Sequence, residues 1–344
     1  MPSPIRAGVV LLVSALAGGC AASGTLGPTS AAGPAARQVT RPLGHHVAGV
    51  SWTAAGLAPH DLIYVTNSNG LVSVYRYWQH TLAGVLYNFS YPTGECADSA
   101  GDVYIADFDA QTIVEYAHGG TKPIRTIDDF TYHPYGCAVD PKSGNLAVAN
   151  YQANQYSYNS DSGNIAVYPR GKDKPAYYGS GDGRFTSLAY DDHGDLLATA
   201  RSYYYYSFFF NTIFYYLPDK SSKLLSMDLP GSQFYSGWPS VQSIGYDGEY
   251  WVVVASDTLY RYTISIKAQL VDEVELSGGS SNVNEIAFYR KNSKGIATQV
   301  VGGGASFEGS SFVGFWNYPA GGDPYDQITT YLDGPFGVAI SLKK

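Results

Sequence analysis

Short apolar runs of four to six residues recur along most of the chain, each broken by Gly, Pro, Asn or Asp. Runs of that length, rich in Val, Ile and Tyr and bounded by turn residues, predict β-strands rather than helices. Pro92-Thr-Gly-Glu-Cys-Ala-Asp98 aligns with Pro134-Tyr-Gly-Cys-Ala-Val-Asp140, 42 residues later. Each is followed by a turn and a second strand, Asp102 to Asp107 and Asn145 to Asn150. A third strand comes next, Thr112 to Tyr116 and Asn164 to Tyr168, and then a fourth, within Gly119 to Ile127 and Gly171 to Tyr178. The order recurs with more drift from Ser187, from Ser243 and from Glu285. A period near 40 with four strands per unit is the pattern of propeller blades.

The first copy, starting at Asp61, lacks its first strand, whereas the chain finishes with Pro335-Phe-Gly-Val-Ala-Ile-Ser341, which has that strand's pattern. The fold expected is therefore all-β: a six-bladed β-propeller of four-stranded antiparallel blades, its ring closed by the C-terminal strand. The stretch Val47 to Trp52 is the alternative source of the missing strand. The repeated motifs resemble the NHL-type repeat, whose units read roughly Pro-x-Gly-[Ile/Val]-Ala-Val-Asp, Gly-Asn-Leu-Tyr-Val-Ala-Asp and Ile-x-Val-Tyr. The resemblance covers about residues 61–341 and is strongest over 92–180. It implies a fold and leaves function open, because such propellers include sugar lactonases, lyases, and protein- and RNA-binding modules.

The N-terminus has a different pattern. One positive charge, Arg6, precedes an apolar run and then small residues, the layout of a secretory signal peptide over residues 1–19. Leu16-Ala17-Gly18-Gly19-Cys20 resembles the lipobox of bacterial lipoproteins, with Leu one place earlier than usual. That resemblance implies acylation (palmitate-class chains) of Cys20 and a membrane anchor; more than one acyl chain gives stable anchoring. Residues 20–40 are Ala, Gly, Ser, Thr and Pro with few large apolar groups, and read as a flexible tether. Residues 41–344 are the propeller domain. The expected address is the cell envelope, at the periplasmic face or the cell surface.

Composition sharpens this picture. Of 344 residues, 31 are Tyr and 39 Gly, which suits short strands and tight turns. The net charge of −8 argues against nucleic acid as a partner.

Chemistry is sparse. Cys96 and Cys137 lie on the first strands of consecutive blades, one register position apart, so they point to opposite faces of their sheets. One phase makes them a disulfide; the other leaves two buried thiols. Asn67, Asp107 and Asn150 end successive second strands and are channel-rim polar candidates, with strand-end capping as the plainer role. Glu95 and Glu285 lie on first strands, nearest the axis. The seven His are scattered, and neither His133 nor His193 has the partners of a triad or a zinc motif. Two insertions, 151–161 and 201–210, fall between second and third strands of adjacent blades and so share a rim. Their Tyr151, Tyr156, Tyr158, Tyr203, Tyr204, Tyr205 and Tyr206 are the binding candidates, since Tyr supplies large amphipathic contact area; strand extension and packing is the competing role. The reading these features favour is a non-catalytic binding or scaffolding module that meets a protein or glycan of the envelope, without cofactor. The alternative is a metal-dependent lactonase-like hydrolase at the channel mouth, for which a divalent cation such as Ca²⁺ is the expected metal.

Overall fold

The computed structural model describes residues 48–129, 131–153, 163–181, 183–203, 210–230, 241–277, 283–290, 292–305 and 310–344. Cys20 and the tether lie outside these residues. All regular elements among them are strands, in six sheets. Blade 2 holds β5 (Pro92–Ala97), β6 (Val103–Asp107), β7 (Thr112–Tyr116) and β8 (Pro123–Asp128). Blade 3 holds β9 (Pro134–Val139), β10 (Leu146–Asn150), β11 (Asn164–Tyr168) and β12 (Ala176–Tyr178). Blade 4 follows with β13 (Arg184–Tyr190), β14 (Leu196–Tyr203), β15 (Phe210–Leu217) and β16 (Leu225–Met227). Blade 5 has β17 (Val241–Tyr246), β18 (Trp251–Ala255), β19 (Thr258–Ile264) and β20 (Ala268–Glu275). Blade 6 has β21 (Val283–Tyr289), β22 (Gln299–Ala305), β23 (Ser311–Asn317) and β24 (Asp326–Ile328).

Blade 1 joins the two ends of the domain. Its order is β1 (Trp52–Thr53), β4 (Thr81–Leu86), β3 (Val72–Arg76), β2 (Leu62–Asn67) and β25 (Pro335–Ser341). The C-terminal strand is innermost, paired antiparallel to β2 from Leu62↔Ser341 to Asn67↔Pro335. Trp52 and Thr53 pair instead with Val85 and Gly84 at the outer edge, so the 47–52 stretch is not the missing inner strand. Asp61 secures the closure by accepting from the Lys343 N–H at 2.8 Å.

The core lies between blades. Each of six apolar clusters draws on two neighbouring sheets: Leu62 and Tyr64 pack with Val103 and Ile105 of blade 2, while Ile63 and Val65 pack with Val301 and Phe315 of blade 6. Second strands therefore bury both faces and read as unbroken apolar runs, such as Trp251-Val-Val-Val-Ala255. The Asp that ends each first-strand motif has a structural task. Asp98, Asp140, Asp191 and Asp247 each accept N–H bonds from the turn two to four residues on, at 2.6–2.9 Å.

Cys96 and Cys137 are joined by a disulfide between β5 and β9, with Cα atoms 5.6 Å apart. It staples the innermost strands of blades 2 and 3. The oxidised protein is expected to weigh two hydrogens less than its reduced form. The double variant Cys96→Ala/Cys137→Ala is expected to lose about 4 kcal/mol in urea unfolding, given the 41-residue separation.

Candidate functional site

Six inner strands, β25, β5, β9, β13, β17 and β21, surround a central channel. Each is the last strand of its sheet, so its free backbone edge faces the axis. The end where these strands begin is called here the upper rim. It also carries the connections between second and third strands.

A β-bulge interrupts every pairing of inner and second strand near this rim. In blade 3, Ala149 opposes Gly136 but Asn150 opposes Pro134, which leaves Tyr135 unpaired. The same shift leaves out Thr186, Gln242 and Asn284 in blades 4, 5 and 6. In blade 2 it spans Thr93 and Gly94, and in blade 1 Phe336 and Gly337. A bulge re-aims the side chain of its extra residue. Here Thr93, Tyr135, Thr186, Gln242, Asn284 and Phe336 all line one cavity at the upper mouth. The positions correspond to the x of Pro-x-Gly in blades 1, 2 and 3, a signal present in the repeat but not taken as a site.

Arg201 of β14 joins this mouth. Its Nη2 donates to the Val241 carbonyl at 3.2 Å, and its Nε is buried without a hydrogen-bond partner. Burial pushes the Tyr135 phenol up, and the Arg201 charge acts in the opposite direction. An arc of half-buried aromatics runs round the rim towards the mouth. Phe336 meets Tyr91 edge-on at 5.4 Å, Tyr91 meets Phe108 at 6.1 Å, and Phe108 meets Tyr151 at 5.9 Å. Tyr151 then stacks on Tyr135 at 5.5 Å, with the Arg184 guanidinium 5.3 Å from the Tyr151 ring centre.

The structure sorts the sequence candidates. Tyr151 belongs to this arc. Tyr203 pairs through its backbone with Phe210, so the second insertion begins as an extended hairpin. Tyr156, Tyr158, Tyr204, Tyr205 and Tyr206 lie outside the described residues. Asn67, Asp107 and Asn150 are buried and line neither channel cavity. Asn67 accepts from the Asp333 N–H at 2.9 Å, Asp107 accepts from Ser90 and Tyr91 at 2.9 and 2.7 Å, and Asn150 donates to Asn164 at 2.9 Å. Asn67 and Asp107 fasten strand ends to incoming loops, and Asn150 ties the ends of β10 and β11.

Below the mouth, all six inner strands line a second cavity of about 220 Å³, with Glu95 and Glu285 in its wall. Glu285 also lines the upper cavity, so its carboxyl stands where the two meet. Its Oε2 lies so near Gly337 that a Cβ there would approach it to 2.8 Å and the Thr93 carbonyl to 2.6 Å; only glycine fits. Burial holds the Glu285 carboxyl up to about 8, moderated by the Val338 N–H. Glu95 is 3% exposed, and neither of its oxygens has a hydrogen-bond partner. Burial first, then the Glu285 charge, raises Glu95 well above the carboxylate range, while the Thr66 and Ala339 N–H groups pull the other way without completing a bond. No group of three His, Cys, Asp or Glu placed to hold a metal ion occurs among the described residues.

No family model matches the chain, and no curated protein sequence matches it. Solved structures do. The chain is similar to one in the crystal structure of a nidogen/laminin complex, at 11% identity and a TM-score of 0.59, over 83% of this chain and 99% of that one. It is similar to the same degree, TM-score 0.59 and 11% identity, to a protein of unknown function from Bacteroides caccae, over 82% of this chain and 99% of the other. At such identity the likeness concerns the fold. The fold is a six-bladed β-propeller.

Proposed function

We propose that this chain is an exported, lipid-anchored binding module of the cell envelope that holds a protein or glycan at its upper rim without transforming it. The observation that supports this best is the mouth itself. One bulge per blade presents a different side chain: two amides, two aromatics and two threonines, beside a guanidinium and at the end of an aromatic arc. Aromatic faces with a few placed polar groups suit recognition. The lipobox-like run ending at Cys20 and the tether after it supply the proposed anchor.

The test pairs two measurements. Cys20→Ala is expected to move the protein from the membrane to the soluble fraction. In cross-linking from intact cells, Gln242→Ala/Phe336→Ala is expected to reduce recovery of the wild-type partner or glycan at least tenfold while melting stays within a few degrees. Full retention of every ligand by that variant would end the upper-rim assignment.

A further inference from the structure

A buried carboxyl with neither oxygen bonded, Glu95, and a half-buried one within its electrostatic reach, Glu285, need an explanation when no counter-charge stands between them. Most buried polar groups find partners, and those that do not point to strain, chemistry or an absent ligand. Glu95 and Glu285 lie on β5 and β21, strands far apart in the chain that the closed ring brings to one point of the channel. The cavity beside them, about 220 Å³, has room for several waters, each of which takes roughly 30 Å³ in the liquid. Free carbonyls of the inner-strand edges face it, and Tyr190, Tyr246 and Phe288 line it as well.

We propose that the lower channel binds a small organic cation, with a primary ammonium group seated between Glu95 and Glu285 and a short carbon chain running towards Tyr190, Tyr246 and Phe288. An ammonium has three donors, which two carboxyls and one strand-edge carbonyl satisfy. Calcium wants six to eight oxygen ligands, more than this pair begins to supply. The aromatic faces add cation–π attraction. The net charge of −8 draws cations towards the protein.

Protons balance as follows. In the empty channel the two carboxyls keep their protons, because burial disfavours the charged form. When the ammonium arrives, one carboxyl ionises and its proton passes to solvent, while the nitrogen keeps all of its own. Each cation bound therefore releases about one proton well below pH 8 and about half of one at pH 8, and affinity rises with pH through about 8. The charged and titratable groups around Glu285 are few. Glu95 faces it from β5, and the Tyr135 phenol senses it from β9. Arg201 of β14 lies in the mouth above, and Tyr246 of β17 in the cavity below. Arg290, just past β21, also borders the lower cavity, but its guanidinium is paired with Asp192 at 2.5 Å and bonded to the Gly295 carbonyl at 2.7 Å. The described linings of β25 and β22 bring no titratable side chain to this point.

The test is calorimetric titration of the propeller with n-butylammonium chloride at pH 6 and 8, in buffers of different ionisation enthalpy. n-Butanol and calcium chloride serve as separate arms. Binding at pH 8 with about half a proton released, at least tenfold weaker at pH 6 and there with about one proton released, is the expected result. Glu285→Gln and Glu95→Gln should each weaken binding at least tenfold, and Glu285→Gln should also remove the proton release that centres near pH 8, with melting curves showing that both fold. Equal binding of butanol, absence of amine binding to folded wild type, or calcium binding that displaces the amine would each overturn the assignment. Glu285 stands where the two cavities meet, but Gln242 and Phe336 line only the upper one, so Gln242→Ala/Phe336→Ala should leave amine binding unchanged.

Discussion

A chain that stops at Gly334 is expected to lose the folded ring altogether. The missing β25 is the innermost strand of blade 1, and its partners come from the other end of the domain. Its removal strips Val338 from the blade 6/blade 1 core and exposes the whole inner edge of β2. It also removes the Thr66 hydroxyl's acceptor bond from the Gly337 N–H at 2.8 Å and the His118 contact with Ser341 at 2.6 Å. Each large apolar side chain unburied costs about 1.5–3 kcal/mol, and a domain holds only about 5–15 kcal/mol in total. A bare strand edge then invites pairing between chains. The truncated protein should appear in the insoluble fraction, or show no cooperative melting by circular dichroism. A soluble, cooperatively melting product would contradict the closure by β25.

Glu285→Gln should make the protein more stable, and increasingly so as pH rises. In the folded protein the carboxyl titrates near 8, against 4.5 for an unperturbed group. Between those values the folded state holds a proton that the unfolded state has released. Unfolding stability therefore falls as pH increases through this window and levels off above it. Glutamine has no proton to lose and removes that decline. At about 1.4 kcal/mol per pH unit, the variant should match wild type near pH 4.5 and exceed it by about 4 kcal/mol at pH 8.5. The slope left over belongs to Glu95 together with the other shifted groups, Asp107, Glu115, Asp129 and His118. Urea midpoints at the two pH values measure the effect, and a variant that gains nothing over wild type across the window would contradict the protonated state of Glu285.

Much of this architecture was legible because a blade is a local object. Its four strands are consecutive, so the spacing from Pro92 to Pro134 carries its length, and the orphan strand at Pro335 could be matched to the gap before Asp61. What was not legible depends on phase or on distance round the ring. Alternation placed Cys96 and Cys137 on opposite faces but could not say whether those faces meet; the handed stacking of blades decides that. A bulge adds one residue to a strand without any compositional mark, so the mouth residues Thr186, Gln242 and Asn284 carried no signal of their own. Asn67, Asp107 and Asn150 were conspicuous because they repeat through blades 1 to 3, where each bonds at the rim end of its second strand. Glu95 and Glu285 stood out only as acids near the axis; their encounter is a product of closure.

The bulges separate two jobs that a strand normally does at once. A paired residue must suit its ladder, its face and its neighbour across the sheet. The extra residue in each bulge is released from the ladder, so backbone pairing does not set its identity, although Thr93, Thr186 and Asn284 still bond neighbouring strands through their side chains. Six such positions, one per blade, make the mouth a small alphabet set into a fixed frame. Altering the letters that bond no neighbouring strand should redirect what the propeller recognises at little cost to the frame, which makes residues 135, 242 and 336 natural positions for a combinatorial library.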